Sequence, residues 1–293
     1  MFCAYGYAVF ALLPPPQLVT SASGRTELNV PISASLSITV LEADAAQQES
    51  LVDKALESSE PIGGAIDDPY GVVLWPAAQV VAHEISNLDL NGAHVLELGA
   101  GTGLCSLTAL ACGAARVHAT DYREEPLELL IESAARNELL GGDDGVGVLS
   151  TAIFDIKADE EALPALDAHY VVAADLLYQQ STSIALAKRC VEALLSPTCR
   201  AVIVGDLGRP GRKAFLDALV AEGVREEAAS FQAVEGWLPG APRHELVSTS
   251  AAAAEPGQAL KCSVGLLRLL PKDMLPRTGT LRRLHGFRDV AAK

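Results

Sequence analysis

Three glycines at alternate positions, Gly99, Gly101 and Gly103, follow the apolar run His94–Leu98, and a helix-forming segment opens directly after them. Residues without a Cβ let backbone approach a ligand closely and turn sharply, and the helix that follows presents free N–H groups. The next apolar run, 116–120, ends on Asp121, 20 residues past Gly101. A carboxylate there can accept hydrogen bonds from both hydroxyls of a ribose. A glycine turn alone recurs without function, but the turn and the acid together read as a nucleotide site. The third glycine stands two residues after the second, so the pattern is G-x-G-x-G and differs from the dinucleotide G-x-G-x-x-G. No Walker A lysine is present. Two further acids follow apolar runs: Asp175, with Tyr178 three residues on, after Tyr170–Ala174, and Asp206, with Arg209, after 201–204. Strand carboxyl ends are where open α/β sheets bind ligands. Each of these has a plainer reading: Asp175 as a helix N-cap, Tyr178 and Trp75 as core aromatics, Asp206 and Arg209 as an exposed ion pair.

Strand-like and helix-like segments alternate to position these residues. Pro76 occupies the first position of a helix with apolar residues at Val80, Val81, Ile85 and Leu88. Beyond it come strand 94–98 and a helix from Gly103; strand 116–120 and helix 126–140; strand 146–153 and a short helical stretch. Strand 170–174 and helix 181–195 follow, then strand 201–204, helix 212–222, and two consecutive strands, 228–235 and 260–270. Repeated βα units imply a parallel sheet with helices on both faces, entered by right-handed crossovers. Two strands in succession at the end imply an antiparallel hairpin at one edge. Ahead of this, every even position from Leu28 to Val40 is apolar, the period of a half-buried strand or hairpin. Pro31 places that element at a sheet edge or breaks it. A short helix, 45–57, and a loop rich in Gly, Pro and Asp, 58–71, complete the approach.

The division expected is a flexible segment 1–27, an N-terminal β/α extension 28–70, a catalytic domain 71–271 and a basic tail 272–293, with a flexible insertion at 248–258. Lys and Arg number 22 against 37 Asp and Glu, a formal charge of −15, which repels nucleic-acid phosphates and anionic membranes and steers basic partners inward. The charge is uneven, since residues 261–293 hold eight basic and two acidic side chains. Six cysteines and six histidines form no C-x-x-C pair and no cluster at metal spacing, so no metal is expected and the thiols are read as reduced. The apolar opening, 1–13, lacks a basic region and runs into three prolines, a poor secretory signal. The compartment expected is the cytoplasm, with import into a mitochondrion or plastid as the alternative because residues 1–26 contain no acid.

Three motifs, Trp75-Pro76, Glu97-Leu-Gly99-Ala-Gly101-Thr-Gly103-Leu104 and Asp175-Leu-Leu-Tyr178, resemble those of the class I S-adenosylmethionine-dependent methyltransferases, and within them the family 16 protein-lysine methyltransferases. The resemblance covers about residues 70–270. It implies an α/β fold with a seven-stranded Rossmann-like sheet, carrying here an N-terminal β extension. It also implies S-adenosyl-L-methionine as cofactor, with Glu97, Gly99, Gly101, Gly103 and Ala174 around it, Asp121 on the ribose, Asp155 on the adenine amino group and Trp75 covering it. Asp175 would hold the incoming lysine amine and Tyr178 would wall its channel. The run Gly205-Asp206-Leu207-Gly208-Arg209-Pro210 is similar to a Gly-Asp-Pro-Gly-Arg run in the branch acting on the electron-transfer flavoprotein β subunit, from which Leu207 departs.

Methyl transfer needs a nucleophile lone pair in line with the methyl group at about 3–3.5 Å, without a metal or a covalent intermediate. A lysine must first lose a proton, which costs about 4–5 kcal/mol at pH 7. The partner expected is a protein with a lysine on a basic surface, with no nucleic acid, no membrane and a monomeric enzyme. An RNA enzyme of this fold would carry Asn/Asp-Pro-Pro-Tyr/Phe/Trp where Ala174-Asp175-Leu-Leu-Tyr178 stands. Small-molecule methylation and an inert cofactor-binding protein are the alternatives, and the intact glycine motif makes cofactor affinity the test between activity and inertness.

Overall fold

The computed structural model describes residues 15–22, 24–57, 69–141, 147–238 and 260–276. A seven-stranded sheet runs in the order β6 (Val148–Ile153), β5 (Arg116–Asp121), β4 (His94–Leu98), β7 (Tyr170–Ala174), β8 (Ala201–Asp206), β10 (Leu260–Leu269), β9 (Gln232–Leu238). β4, β5, β6, β7 and β8 pair in parallel, whereas β10 is antiparallel to both β8 and β9. The terminal hairpin therefore does more than extend an edge: its second strand is inserted beside β8.

Alternate residues of β4 serve opposite faces. Val95 packs with α2 (Pro76–Ser86) and α3 (Leu104–Ala111), while Leu96 and Leu98 pack with α5 (Gln180–Leu194) and α6 (Arg212–Ala221). α4 (Glu124–Arg136) joins the first face, where Leu127 and Leu130 meet Ala100 and Ala119. Both faces being covered explains why β4 and β8 are buried at every position, as parallel strands must be.

The period-two run folds as a hairpin, β2 (Arg25–Pro31) and β3 (Ser37–Ala43), with Leu28 opposite Val40 and Val30 opposite Ile38. Parity survives the turn, so these residues and Ile32 share one buried face against the main core. Pro31, which cannot donate a ladder bond, ends β2. The extension starts earlier than expected: Gln17–Ala22 forms β1, paired to β2, so most of the described part of segment 1–27 is strand. Leu18 and Val19 of this edge strand are exposed in succession, so the run carries no apolar alternation that would mark it in sequence. β3 leans on α4, whose Ser133 hydroxyl and Asn137 side-chain carbonyl accept the Leu41 and Thr39 N–H groups at 2.9 Å each. α1 (Ala45–Glu57) follows β3.

The stretch after β6 is a series of turns in place of the expected short helix. Arg189 of α5 takes its carbonyls instead, donating to those of Ile156, Ala158 and Glu161. The loop 58–68, the insertion 248–258, the tail from 277 and the opening 1–14 lie outside the described residues. Among the described residues no helix is long and apolar enough to cross a membrane.

Candidate active site

The glycine turn closes at the carboxyl end of β4. Gly99, Gly101 and Gly103 have φ of 64°, 52° and 81°. At Gly103 glycine is required for a second reason, because a Cβ would lie 1.6 Å from Leu130 Cδ1. Asp121 ends the adjacent strand at the same end of the sheet, and its Oδ2 accepts the Gly101 N–H at 3.0 Å while Oδ1 accepts that of Arg123 at 3.2 Å. Turn and acid thus form one constellation, as their spacing implies. Asp155 follows β6 at this end; the Phe154 N–H donates to the Asp121 carbonyl at 2.8 Å, and Asp155 Oδ1 accepts the Lys157 N–H at 2.9 Å.

Glu97 lies beneath the turn. Its side chain faces α3 and accepts both the Ser106 N–H, at 2.9 Å, and the Ser106 hydroxyl, at 2.5 Å, so it ties the helix to the strand. Burial pushes its carboxyl up to about 7, opposed by the Ser106 bonds. The native state then holds a proton that the unfolded chain releases near 4.5, and stability falls as pH rises through this interval. Glu97→Gln is expected to gain on the parent by about 2–3 kcal/mol between pH 5 and pH 8. Urea denaturation at both pH values measures this, and a constant gap would mean that Glu97 does not titrate there.

Residues 71–75 pass over the turn: a Cβ on Gly101 would come within 3.0 Å of the Gly71 carbonyl oxygen. The buried carboxylate of Glu42, on β3, accepts the Leu74 N–H at 2.9 Å and fixes this strap from the N-terminal sheet. Trp75 then caps the start of α2, packed against the cluster of Leu41, Ala43, Val72, Val73 and Leu129.

Asp175 follows β7 directly and is 7% exposed, with φ of 61°. It caps no helix, since α5 begins at Gln180 with Gln179 as its N-cap. The expected helical turn from Asp175 to Tyr178 is absent for the same reason: a left-handed residue leaves the strand, and Tyr178 sits half-buried in a turn. Leu176 packs against Gly99, where a Cβ would meet its Cδ2 at 2.5 Å. The Asp175 carboxylate is bound on both oxygens by Arg209, from Nε at 2.9 Å and Nη2 at 2.5 Å. The Leu207 N–H adds a long contact at 3.4 Å. Arg209 also stacks on Trp75, its guanidinium carbon 4.8 Å from the ring centroid. Burial raises the Asp175 carboxyl above the usual carboxylate range, and Arg209 opposes that rise.

Asp206 and Arg209 do not pair side chain to side chain as expected. Asp206, fully buried, is bridged by Arg212 Nε at 2.5 Å, and it accepts the N–H groups of Gly208 and Arg209. Arg212 in turn stacks on Phe231 at 4.7 Å. Ala174 ends β7, opposite Gly205 of β8. The strap ligand Glu42 and the Glu97 anchor Ser106 had no sequence signal beyond their polarity, and nothing in the spacing of Arg209 pointed to Asp175 as its partner. Among the described residues no three His, Cys, Asp or Glu side chains gather to hold a metal.

A G-x-G-x-G turn, an acid 20 residues on that is bonded to it and a buried carboxylate past the fourth strand of the main sheet are the arrangement of a class I methyltransferase fold. The lysine methyltransferase family, methyltransferase family 16, matches residues 59–221, and the chain belongs to it. Among curated proteins it is similar to the protein N-lysine methyltransferase METTL21A of Danio rerio, 36% identical over 116 residues, 39% of this chain and 51% of that one. It is also similar to the ribosomal protein L11 methyltransferase of Methylococcus capsulatus, 27% identical over 170 residues, 58% of this chain and 51% of that one. A third relative, the histone-arginine methyltransferase METTL23 of Xenopus laevis, is 30% identical over 112 residues, 38% and 46% of the two chains. The chain spans about half the length of these relatives. Among solved structures, the branched-chain polyamine synthase of Thermus thermophilus superimposes with a TM-score of 0.47 at 18% identity, over 78% of this chain and 64% of that one. The site fits the S-adenosylmethionine that the sequence resemblance implies: the left-handed glycines leave a cradle without side chains, and the Asp121 carboxylate stands at its rim.

Proposed function

We propose that the protein methylates a lysine side chain of another protein. The observation that carries this reading is the buried Asp175 carboxylate, joined to the cofactor turn through Leu176 and Gly99. When bound, S-adenosylmethionine supplies an electrophilic methyl group on a sulfonium. Asp121 would hold the ribose hydroxyls, Asp155 the adenine amino group, and the backbone of Gly99, Gly101 and Gly103 the remainder, with Ala174 alongside and Trp75 above. Glu97 keeps the turn in place from below. Asp175 would orient the acceptor nitrogen and Tyr178 would flank its approach. A buried, water-poor seat favours the neutral amine, which reduces the 4–5 kcal/mol that deprotonation costs at pH 7.

The formal charge of −15 supports an acceptor with a basic surface and argues against nucleic acid and anionic membrane. A monomeric, cytoplasmic enzyme is the reading that goes with it. The test is incubation of the full chain with isotopically labelled S-adenosylmethionine and a fractionated lysate, followed by mass spectrometry of the labelled band. Nε-methyllysine is the expected product. Methylarginine, or label confined to RNA or small molecules, would overturn the lysine assignment.

A further inference from the structure

We propose that Arg209 is a positioning residue for the acceptor: its guanidinium, held across both oxygens of Asp175 and against the ring of Trp75, neutralises the carboxylate so that the seat holds the amine as its free base. The inference rests on the lysine-methylation reading above.

A lone carboxylate is a poor seat for a nucleophilic amine. Its charge attracts the ammonium form and raises the pKa of the amine, keeping the reacting lone pair protonated. The same carboxylate with its charge cancelled still accepts an N–H from a neutral amine. Its two oxygens offer about four acceptor sites. Arg209 Nε, Arg209 Nη2 and the Leu207 N–H use three, which leaves one for the acceptor. The guanidinium neither gives nor takes a proton, so the amine loses its proton to water at the seat, and the rising pH limb follows the pKa of the seated amine.

The surroundings keep this balance. Asp206, the other acid facing Asp175, is compensated by Arg212 and two backbone N–H groups. Cys262, on β10, stays a neutral thiol, pushed up to about 11 by burial and by the charge of Asp175. Trp75, from the strap, contributes a neutral π face. The four charges Asp175, Arg209, Asp206 and Arg212 therefore sum to zero. Arg209 is placed before any acceptor arrives: Gly208, with φ of 81°, makes the turn, and the Arg209 N–H is fixed on Asp206 Oδ1 at 3.2 Å.

The test compares the full-length parent with Arg209→Gln and Arg209→Lys from pH 6 to 10. A heat-treated, unfractionated lysate serves as acceptor pool, and Nε-methyllysine is quantified after total hydrolysis. Calorimetry with S-adenosylhomocysteine gives a second readout. Arg209→Gln is expected to bind S-adenosylhomocysteine within about threefold of the parent and to run at least about tenfold slower at pH 7. Its rising pH limb should move upward by roughly one to three units, the effect of one charge lost at close range. Arg209→Lys, which keeps the charge, should retain the parental limb. If the Gln variant does not melt cooperatively, Arg209→Met, which keeps the stem against Trp75, replaces it with the same expectation. Superimposed limbs, a neutral variant faster than the parent at pH 7, a displaced limb in Arg209→Lys, or more than tenfold loss of S-adenosylhomocysteine affinity each overturns the role of Arg209. Absence of methyllysine with the parent at every pH overturns the lysine reading, and this inference with it.

Discussion

Asp175→Asn is expected to bind S-adenosylhomocysteine as tightly as the parent while transferring methyl groups at least a hundredfold more slowly, the scale on which a preorganised polar group at a reacting centre acts. The substitution keeps shape, and Asn tolerates the left-handed φ of 61° as well as Asp does, so the exit from β7 is unchanged. What changes is charge: the guanidinium of Arg209, no longer cancelled, faces the acceptor nitrogen as it turns positive during transfer. Arg209 loses its counter-ion, and because its side chain is 21% exposed, water compensates in part, so a stability loss of about 1–3 kcal/mol accompanies the kinetic effect. Rates must therefore be measured well below the melting transition. An N-cap Asp would be replaced by Asn almost without loss, but Gln179 holds that position here. Methyl transfer at the parental rate would remove Asp175 from the mechanism and leave cofactor binding as the function of this end of the sheet.

Asp121→Ala is expected to weaken S-adenosylhomocysteine binding by a hundredfold or more in calorimetry. Two ribose hydroxyls lose a charged acceptor, and a hydrogen bond to a charged group contributes roughly 1.5–3 kcal/mol. Without ligand the variant should melt only slightly earlier, because the backbone N–H groups of Gly101 and Arg123 lose one acceptor each at the rim of the site. Parental affinity would show that the ribose is held elsewhere.

Where the chemistry is local, it could be read directly from sequence. The glycines announce a turn because their positive φ is a property of single residues, and Pro76 announces a helix because its own ring sets the first turn. The even-numbered apolar residues from Leu28 to Val40 announce a buried face, although not the turn that folds the run on itself. What could not be read is pairing across the chain. Asp206 and Arg209 stand three residues apart in one loop, yet each belongs to another partner: Arg209 reaches 34 residues back to Asp175, and Asp206 takes Arg212 from the next helix. Only the β7–β8 neighbourhood brings those groups together, and no spacing rule encodes it. Glu42 is a similar case, an acid in an apolar strand whose purpose appears only when residues 71–75 cross above it. The loop after β6 forms turns and no helix because the carbonyls of Ile156, Ala158 and Glu161 take bonds from Arg189 of a later helix, which no local pattern encodes.

The place of β10 in the sheet bears on how the chain assembles. It is the last of the described strands to be synthesised, yet it sits between β8 and β9, with Gly265 opposite Asp206 and Leu267 opposite Val204. Every other neighbour of β8 is translated well before it. On the ribosome, β8 therefore waits with one row of N–H and C=O groups open, an edge able to template wrong pairing until residues 260–269 emerge. The Arg212 guanidinium that compensates Asp206 lies over Gly265, at a point where a Cβ would come within 2.6 Å of it. Closure of the sheet and organisation of the Asp206–Arg212 pair beside it are thus one late, long-range event in the birth of the molecule.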